Sequence, residues 1–205
     1  RMTLTSTPCS ISISTTHFAI ACADLQRDWA TSLPPVLAQV RRPELLKEVE
    51  KVGSAFKKFS TLIVVGIGGS SLGLRAVVSA LNSPRQIIIC DALDPEPLRK
   101  ILATVDWSKT AINIVSKSGG TLEIMAIASV LVDALKTKVG KTWTEHVVVT
   151  TDPETGFLRQ WARDNQLATC QIPADVGGRF SIFTAVGILP MAWAGLDVQK
   201  FWKGA

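Results

Sequence analysis

Thr61-Leu62-Ile63-Val64-Val65-Gly66-Ile67-Gly68-Gly69-Ser70-Ser71-Leu72-Gly73 is the stretch on which the fold turns. Its first five residues form a short β-branched run of the kind that makes a buried strand. Glycines then break the run, and residues 70–81 read as a helix. Strand, glycine turn and helix in succession form the first part of a βαβ unit. Such a turn can also hold an anion. Glycines let the backbone approach, and hydroxyls with the free N–H groups of a helix start supply donors. Alone, the run is a weak functional signal.

Outward from it, the same alternation repeats. Strands are expected at 86–90, 111–115, 146–150 and 168–172, and helices at 95–103, 121–138, 153–165 and 181–196. About five short strands, each followed by a helix, predict an α/β fold. Its centre is a doubly wound parallel sheet flanked by helices on both faces, a three-layer sandwich. Right-handed crossovers put every strand's C-terminal end on one edge. Ligands bind such sheets on that edge, near a switch in strand order. Upstream, residues 24–58 carry two helical patterns broken by Pro34-Pro35. The second opens with Pro43, a residue suited to a helix start. Residues 1–23 read as a Ser/Thr-rich tail or an edge strand. The expected division is a tail with a helical extension over 1–40 and a sheet domain over 41–205.

Composition agrees with that architecture. Of 205 residues, 47% are apolar and 19% charged, and the mean hydropathy is +0.27. A parallel sheet covered on both faces needs such apolar strands. The net charge of +5 is scattered. Its densest cluster, over 47–58, also holds Glu48 and Glu50, which reads as a solvated helix face rather than a nucleic-acid surface. Cys9, Cys22, Cys90 and Cys170 show no C-x-x-C spacing, and there are only 2 histidines, so no metal site is expected. Cys90 and Cys170 fall on predicted strands and read as packed thiols. Residues 18–23 are too short for a secretory signal. The longest apolar stretch, 182–196, contains Gly187 and Pro190 and falls short of a membrane span. A cytoplasmic enzyme or binding domain is the expectation.

Two further loops follow predicted strands and open predicted helices. Ser116-Lys117-Ser118-Gly119-Gly120-Thr121 offers three hydroxyls, two glycines and a cation, a donor set that suits a phosphate. Lys117 either supplies charge there or faces solvent. Glu123, in the first helical turn, is either a favourable charge at a helix start or a site residue. Asp175-Val176-Gly177-Gly178-Arg179-Phe180-Ser181 brings a guanidinium on a flexible approach. Arg179 either stabilises an anionic intermediate or pairs with Asp175. The first loop also brushes against a dinucleotide fingerprint, with Asp91 at a following strand end. Ser71, however, stands where the third glycine belongs, and no Gly-Lys-Ser/Thr closes the loop as in a Walker motif.

These three segments together resemble the glucose-6-phosphate isomerase family. The run from Val65 to Ser70, the Ser-Lys-Ser loop and above all Asp175 through Gly187 carry the resemblance, which extends from about residue 40 to the end. The Ser-x-Ser-Gly-x-Thr form of the second loop is also similar to sugar-isomerase (SIS) domains in general, and implies their fold. The resemblance implies that Ser70, Ser116, Ser118 and Thr121 hold a sugar phosphate with Lys117 beside them. It implies that Gly69 and Gly178 line the substrate, and that Arg179 stabilises a cis-enediol intermediate. It further implies interconversion of glucose 6-phosphate and fructose 6-phosphate without metal or organic cofactor, in a cytoplasmic homodimer. Ser71 stands where the family often has Asp, and Gly119-Gly120 where it often has a bulkier residue and a further threonine.

Aldose–ketose isomerisation moves a proton between C1 and C2 and needs a base, a carbonyl-polarising group and help in ring opening. His17 in the tail and His146 at the opposite sheet edge both read as structural or solvated. The resemblance implies that the base, the ring-opening histidine and a late lysine lie beyond residue 205. The chain is therefore expected to be the N-terminal, phosphosugar-binding part of the enzyme. Two alternatives stay open: a stand-alone, non-catalytic sugar-phosphate module, and a nucleotide-binding α/β domain.

Overall fold

The computed structural model describes residues 14–81 and 83–205. Its contacts group into two units, Arg1–Pro34 and Pro35–Ala205, so residues 35–40 group with the sheet. In the first unit, α1 spans Thr15–Thr31, with the Ser14 hydroxyl accepting from the His17 N–H as its N-cap. Residues 15–23 are thus helical rather than tail or edge strand; residues 1–13 lie outside the described residues. The helical spacing of Phe18, Cys22, Leu25 and Trp29 is the signal for this helix. The following Pro34-Pro35 stops it from continuing.

The second unit opens with α2 (Pro35–Ala38) and α3 (Pro43–Phe56) and then alternates strands with helices. Its strands are β1 (Thr61–Val65), β2 (Gln86–Cys90), β3 (Thr110–Ser116), β4 (Val147–Thr151) and β5 (Ala168–Gln171). The intervening helices are α4 (Leu72–Leu81), α5 (Pro95–Thr104), α6 (Leu122–Val139) and α7 (Phe157–Asp164), and α8 (Ala185–Ala194) and α9 (Val198–Lys203) follow β5. All pairings are parallel, in the order β2-β1-β3-β4-β5. The expected doubly wound sheet is present.

The period-two geometry of a strand explains the apolar runs. Leu62 and Val64 of β1 enter a core shared with α3, α4 and α8, whereas Ile63 and Val65 enter the opposite core with α5, α6 and α7. With both faces covered, every position of β1, β3 and β4 is buried. On one face α3 packs on α8. There the fully buried Trp193 donates its indole N–H to the Phe56 carbonyl at 2.9 Å. At the β5 edge, the Glu48 carboxylate accepts the Gln171 N–H at 3.0 Å, which covers part of an open strand edge.

Several expected boundaries move for local reasons. Residues 153–156 do not join α7. The Asp152 carboxylate accepts the N–H groups of Glu154 and Thr155, and Gly156 takes φ 97°. His146 ends a 3₁₀ segment instead of starting β4. The expected helix over 181–196 divides into a 3₁₀ segment, Gly178–Phe183, and α8, which starts on the Thr184 hydroxyl cap. Gly195, with φ 83°, ends α8, and α9 follows as an element the sequence reading did not anticipate. Pro190 lies inside α8, a buried core helix. No described helix is long and apolar enough to cross a membrane.

Cys90 and Cys170 are buried free thiols, as expected, and Cys22 is also free. Burial pushes the Cys90 thiol up to about 11 and the Cys170 thiol up to about 12, which keeps both protonated at neutral pH. Cys9 lies outside the described residues. His146 is buried under Phe59, with ring centroids 4.4 Å apart, and its Nδ1 is 2.8 Å from the Thr110 carbonyl oxygen. That is a packing role at the edge away from the loops.

The α3–α8 layer yields a stability prediction. Trp193→Ala should cost about 3–5 kcal/mol in urea denaturation, as large aromatic deletions in cores do. Leu93→Ala, at an exposed site, should stay within about 0.5 kcal/mol. Similar costs for the two would contradict this packing.

Candidate functional site

The sheet order contains one reversal of winding. From β1 the chain crosses to β2 on one side, then returns past β1 to β3 on the other. At such a point the two outgoing loops part and leave a crevice between them. The loops that leave β1 and β3 here are the glycine-serine run and the Ser-Lys-Ser run.

In the first loop, residues Gly68–Ser70 make a 3₁₀ turn before α4 begins. Gly68 sits at φ 60°, in the left-handed region. Ser71 turns inward, buried, and donates to the Gly68 carbonyl at 3.2 Å. It serves the turn and leaves Ser70, half-buried, as the hydroxyl facing outward.

The second loop gathers its hydroxyls around Thr121. Thr121 Oγ1 lies 3.2 Å from Ser116 Oγ and 3.3 Å from Ser118 Oγ. Ser116 Oγ accepts the Gly119 N–H at 3.1 Å, and Ser118 Oγ accepts the Gly120 N–H at 3.4 Å. The Thr151 hydroxyl of β4 donates to the Ser116 carbonyl at 2.6 Å and fixes the strand end beneath. Gly119 has φ 67° and lies against Gly156, where a Cβ would come within 2.7 Å of the Ser118 carbonyl oxygen. Thr121 is the N-cap of α6, yet its hydroxyl does not cap the helix. The first-turn N–H groups of this 18-residue helix therefore lack a side-chain partner among the described residues. Three hydroxyls at an uncapped helix start have the donors and the dipole to hold an anion.

The third segment is braced from several sides. Lys117 does not point to solvent: its Nζ donates to the carbonyls of Ala174 at 2.7 Å and Val176 at 2.9 Å. Gln39 Nε2 donates to the Phe180 carbonyl at 2.9 Å. Arg42 binds both carboxylate oxygens of Asp175, with Nη1 to Oδ1 at 3.0 Å and Nη2 to Oδ2. Asp175 is therefore Arg42's partner, and the alternative in which Arg179 pairs with it does not occur. The hydrogen bond from Arg42 holds the Asp175 carboxyl below its usual range. A carboxyl held low in the folded state contributes above its unfolded pKa. That contribution is lost as pH falls through the lowered value. Gly69 and Gly178 meet face to face, and a Cβ on Gly69 would run into the Gly178 carbonyl. Ser181 Oγ closes the seam by donating to Gly178 O at 2.7 Å and to Gly69 O at 3.3 Å. Arg179 is exposed and forms no ion pair among the described residues.

The structure thus brings Gly69, Ser70, Ser116, Lys117, Ser118, Thr121, Gly178 and Arg179 to one edge of the sheet. Arg42, Gln39, Gly156 and Ser181 are the bracing residues that sequence reasoning missed. Most of their partners lie tens to more than a hundred residues away, so no local pattern marks them. Glu123 is exposed in the first turn of α6. The acids that follow the strands on this edge are engaged. Asp91 pairs with Arg75 at 2.7 Å, which occupies the group a dinucleotide reading would need for a ribose, and Asp152 accepts the turn N–H groups that follow it. A cavity of about 420 Å³ lies elsewhere, between α6 and α7. Its wall is mostly apolar, with Met125, Val132, Phe157 and Trp161, and its polar residues Ser129, Asp133 and Lys136 do not gather hydroxyls at a helix start as the loops do.

The chain has known relatives in sequence and in fold. Residues 26–205 match the family described as Phosphoglucose isomerase. A glucose-6-phosphate isomerase of Thermus thermophilus is 42% identical over 163 residues, covering 79% of this chain and 39% of that protein. The crystal structure described as that of a hypothetical protein from Thermus thermophilus superposes with a TM-score of 0.85. It is 37% identical and covers 93% of this chain and 47% of that one. The crystal structure of a glucose-6-phosphate isomerase from Chlamydia trachomatis superposes with a TM-score of 0.69 at 30% identity, covering 81% of this chain and 32% of that one. The chain thus spans well under half the length of the curated relatives it matches. With the switch-point loops and these similarities together, the chain belongs to the phosphoglucose isomerase family.

Proposed function

We propose that this chain is the phosphosugar-binding, N-terminal part of a glucose-6-phosphate isomerase, the sheet-bearing unit being the binding domain. The observation that carries the reading is the convergence of the Ser116, Ser118 and Thr121 hydroxyls at the uncapped start of α6. These hydroxyls, with Ser70 and the open helix N–H groups, hold the phosphate of glucose 6-phosphate or fructose 6-phosphate. Gly69 and Gly178 line the path of the sugar, with Lys117 beside the phosphate loop.

The chemistry moves one proton between C1 and C2 of the open-chain sugar. A base removes the proton from the carbon next to the carbonyl, and the carbonyl oxygen takes up the charge as a cis-enediolate. A proton then passes from the neighbouring hydroxyl oxygen to the former carbonyl oxygen, and return of the base's proton to the former carbonyl carbon, as the C=O bond forms at its neighbour, gives the other isomer. Arg179, a permanent cation with no acid partner among the described residues, stabilises that developing oxygen charge. The base and the ring-opening group come from the remainder of the longer enzyme, which works in the cytoplasm as a homodimer.

Calorimetry with 6-phosphogluconate, beside an isomerase assay, tests this reading. The 205-residue chain should bind the analogue and turn over fructose 6-phosphate poorly, while the full-length polypeptide should turn it over well. Absence of binding would sink the proposal. Strong turnover by the shorter chain would sink the division of labour. Ser116→Ala and Thr121→Ala should each weaken binding by about 10- to 100-fold, the loss expected for a hydrogen bond to a charged group. Unchanged affinity in both would remove the phosphate from this loop. Gly69→Ala should cost about 1–3 kcal/mol of stability through overpacking against Gly178 and should also weaken binding. Gly53→Ala, inside α3 with its nearest contact at 3.7 Å, should instead stabilise by about 0.5–1 kcal/mol.

A further inference from the structure

A lysine between two serines of a phosphate loop invites a simple assignment as the phosphate's counter-charge. The geometry here is different. An ammonium has three N–H donors, and Lys117 gives two of them to the carbonyls of Ala174 and Val176, 57 and 59 residues away. Those carbonyls flank Asp175, whose carboxylate is held by Arg42, and they stand just before Gly177-Gly178-Arg179. The phosphate loop and the arginine-bearing segment are therefore tied by one charged side chain. The Gly69–Gly178 contact and the Ser181 hydroxyl make a second seam on the far side of Gly178. Gly177 lies between the two attachments, and Gly178 belongs to the second through its backbone. A Cβ on Gly178 would meet nothing within 4 Å and one on Gly177 only the Phe180 ring at 3.4 Å, so neither glycine is held by side-chain packing. Gln39 and the Gly69–Gly178 seam hold the neighbours of Arg179 against other elements, and Lys117 is the side chain that ties this segment to the phosphate loop itself.

We propose that Lys117 is a positioning residue that acts through Arg179. It clamps residues 174–176 onto the phosphate loop, and so sets the span between the phosphate-holding hydroxyls and the guanidinium that meets the sugar oxygen. Phosphate occupancy and charge stabilisation are coupled by this link. The inference rests on the sugar-phosphate reading of the site and adds to it a role for Lys117 distinct from direct phosphate binding.

The test is a double-mutant cycle in the full-length enzyme with Lys117→Met, Lys117→Arg and Arg179→Ala. Lys117→Met should lower kcat by roughly 100-fold, the order of loss that a misplacement of about 1 Å produces. The inhibition constant for inorganic phosphate and KM should both stay within about 3-fold, because the hydroxyl cradle is intact. In the Arg179→Ala background, Lys117→Met should cost less than about 3-fold more, since the two act as a unit. Lys117→Arg, which can still reach two carbonyls, should recover most of the lost rate. A rise of more than about 10-fold in the phosphate inhibition constant with kcat preserved would make Lys117 a direct phosphate ligand. Fully multiplicative losses in the double variant would show independent action. Either result overturns the proposal.

Hydrogen exchange provides a readout separate from catalysis. Amides over 174–180 should exchange at least about 10-fold faster in Lys117→Met, while those of β3 keep their protection. Equal protection of that segment in wild type and variant would refute the clamp. If Lys117→Met fails to fold, Lys117→Gln, which keeps two uncharged N–H donors on a shorter side chain, takes its place in both measurements. If wild-type enzyme shows no isomerase activity, or Arg179→Ala runs at the wild-type rate, the sugar-isomerase reading fails. The exchange experiment still decides whether the clamp exists.

Discussion

Everything at the candidate site depends on the parallel pairing of β1 with β3, in a register that sets Val65 opposite Ile114. That pairing buries both strands on both faces, so neither can slip by one residue without exchanging the side chains of its two cores. It also brings the loops that begin at Gly66 and Ser116 out of the sheet side by side. The winding reverses at this pair and nowhere else among the described strands. The crevice between the loops is a consequence of chain direction before any polar residue is considered.

Polar chemistry is then built on that rigid edge with little freedom left over. Ser71, Ser181 and Thr151 are buried, and each donates to a backbone carbonyl. They hold loops rather than ligands. Gly69 against Gly178 and Gly119 against Gly156 bring backbones closer than any side chain allows. The groups that bound the crevice are Ser70, Ser118, Thr121, the start of α6 and Arg179, with the buried Ser116 hydroxyl directly behind Thr121. A preorganised set of donors of this kind stabilises charge without reorganising when the ligand arrives. Arg42, Gln39 and Lys117 play the same part from further away, each fixing the segment that carries Arg179.

Much of this was legible in the sequence, and the reasons are physical. Strand runs such as 61–65 and 86–90 match the structure residue for residue: β1 is buried throughout and apolar after Thr61, and the half-buried edge strand β2 keeps the run Ile87-Ile88-Ile89. The three loops were readable because glycine, serine and threonine cluster there and little else explains them. Boundaries failed where a side chain competes with the helix. Asp152 captures the N–H groups of Glu154 and Thr155 and delays α7, and the Thr184 cap starts α8 later than the apolar pattern suggests. Lys117 was readable as a cation near the loop but not as a clamp, since its acceptors are backbone carbonyls of a segment 57 and 59 residues away. Arg42 gave no local sign of its pairing with Asp175. The first half of α1 is hard to see in the sequence because it follows directly on a Ser/Thr-rich stretch that ends at Thr16, a composition that reads as tail until the Phe18-Cys22-Leu25-Trp29 spacing is noticed.

The proposed phosphate position is where the first and second loops diverge, with the arginine segment at the far end of the sugar. A crystal of the chain soaked with 6-phosphogluconate tests this most directly. The phosphate oxygens should lie within hydrogen-bonding reach of the Ser116, Ser118 and Thr121 hydroxyls at the start of α6, with the carboxylate end of the ligand turned toward Arg179. Ligand density in the apolar space between α6 and α7, or a phosphate held away from these hydroxyls, would contradict the account.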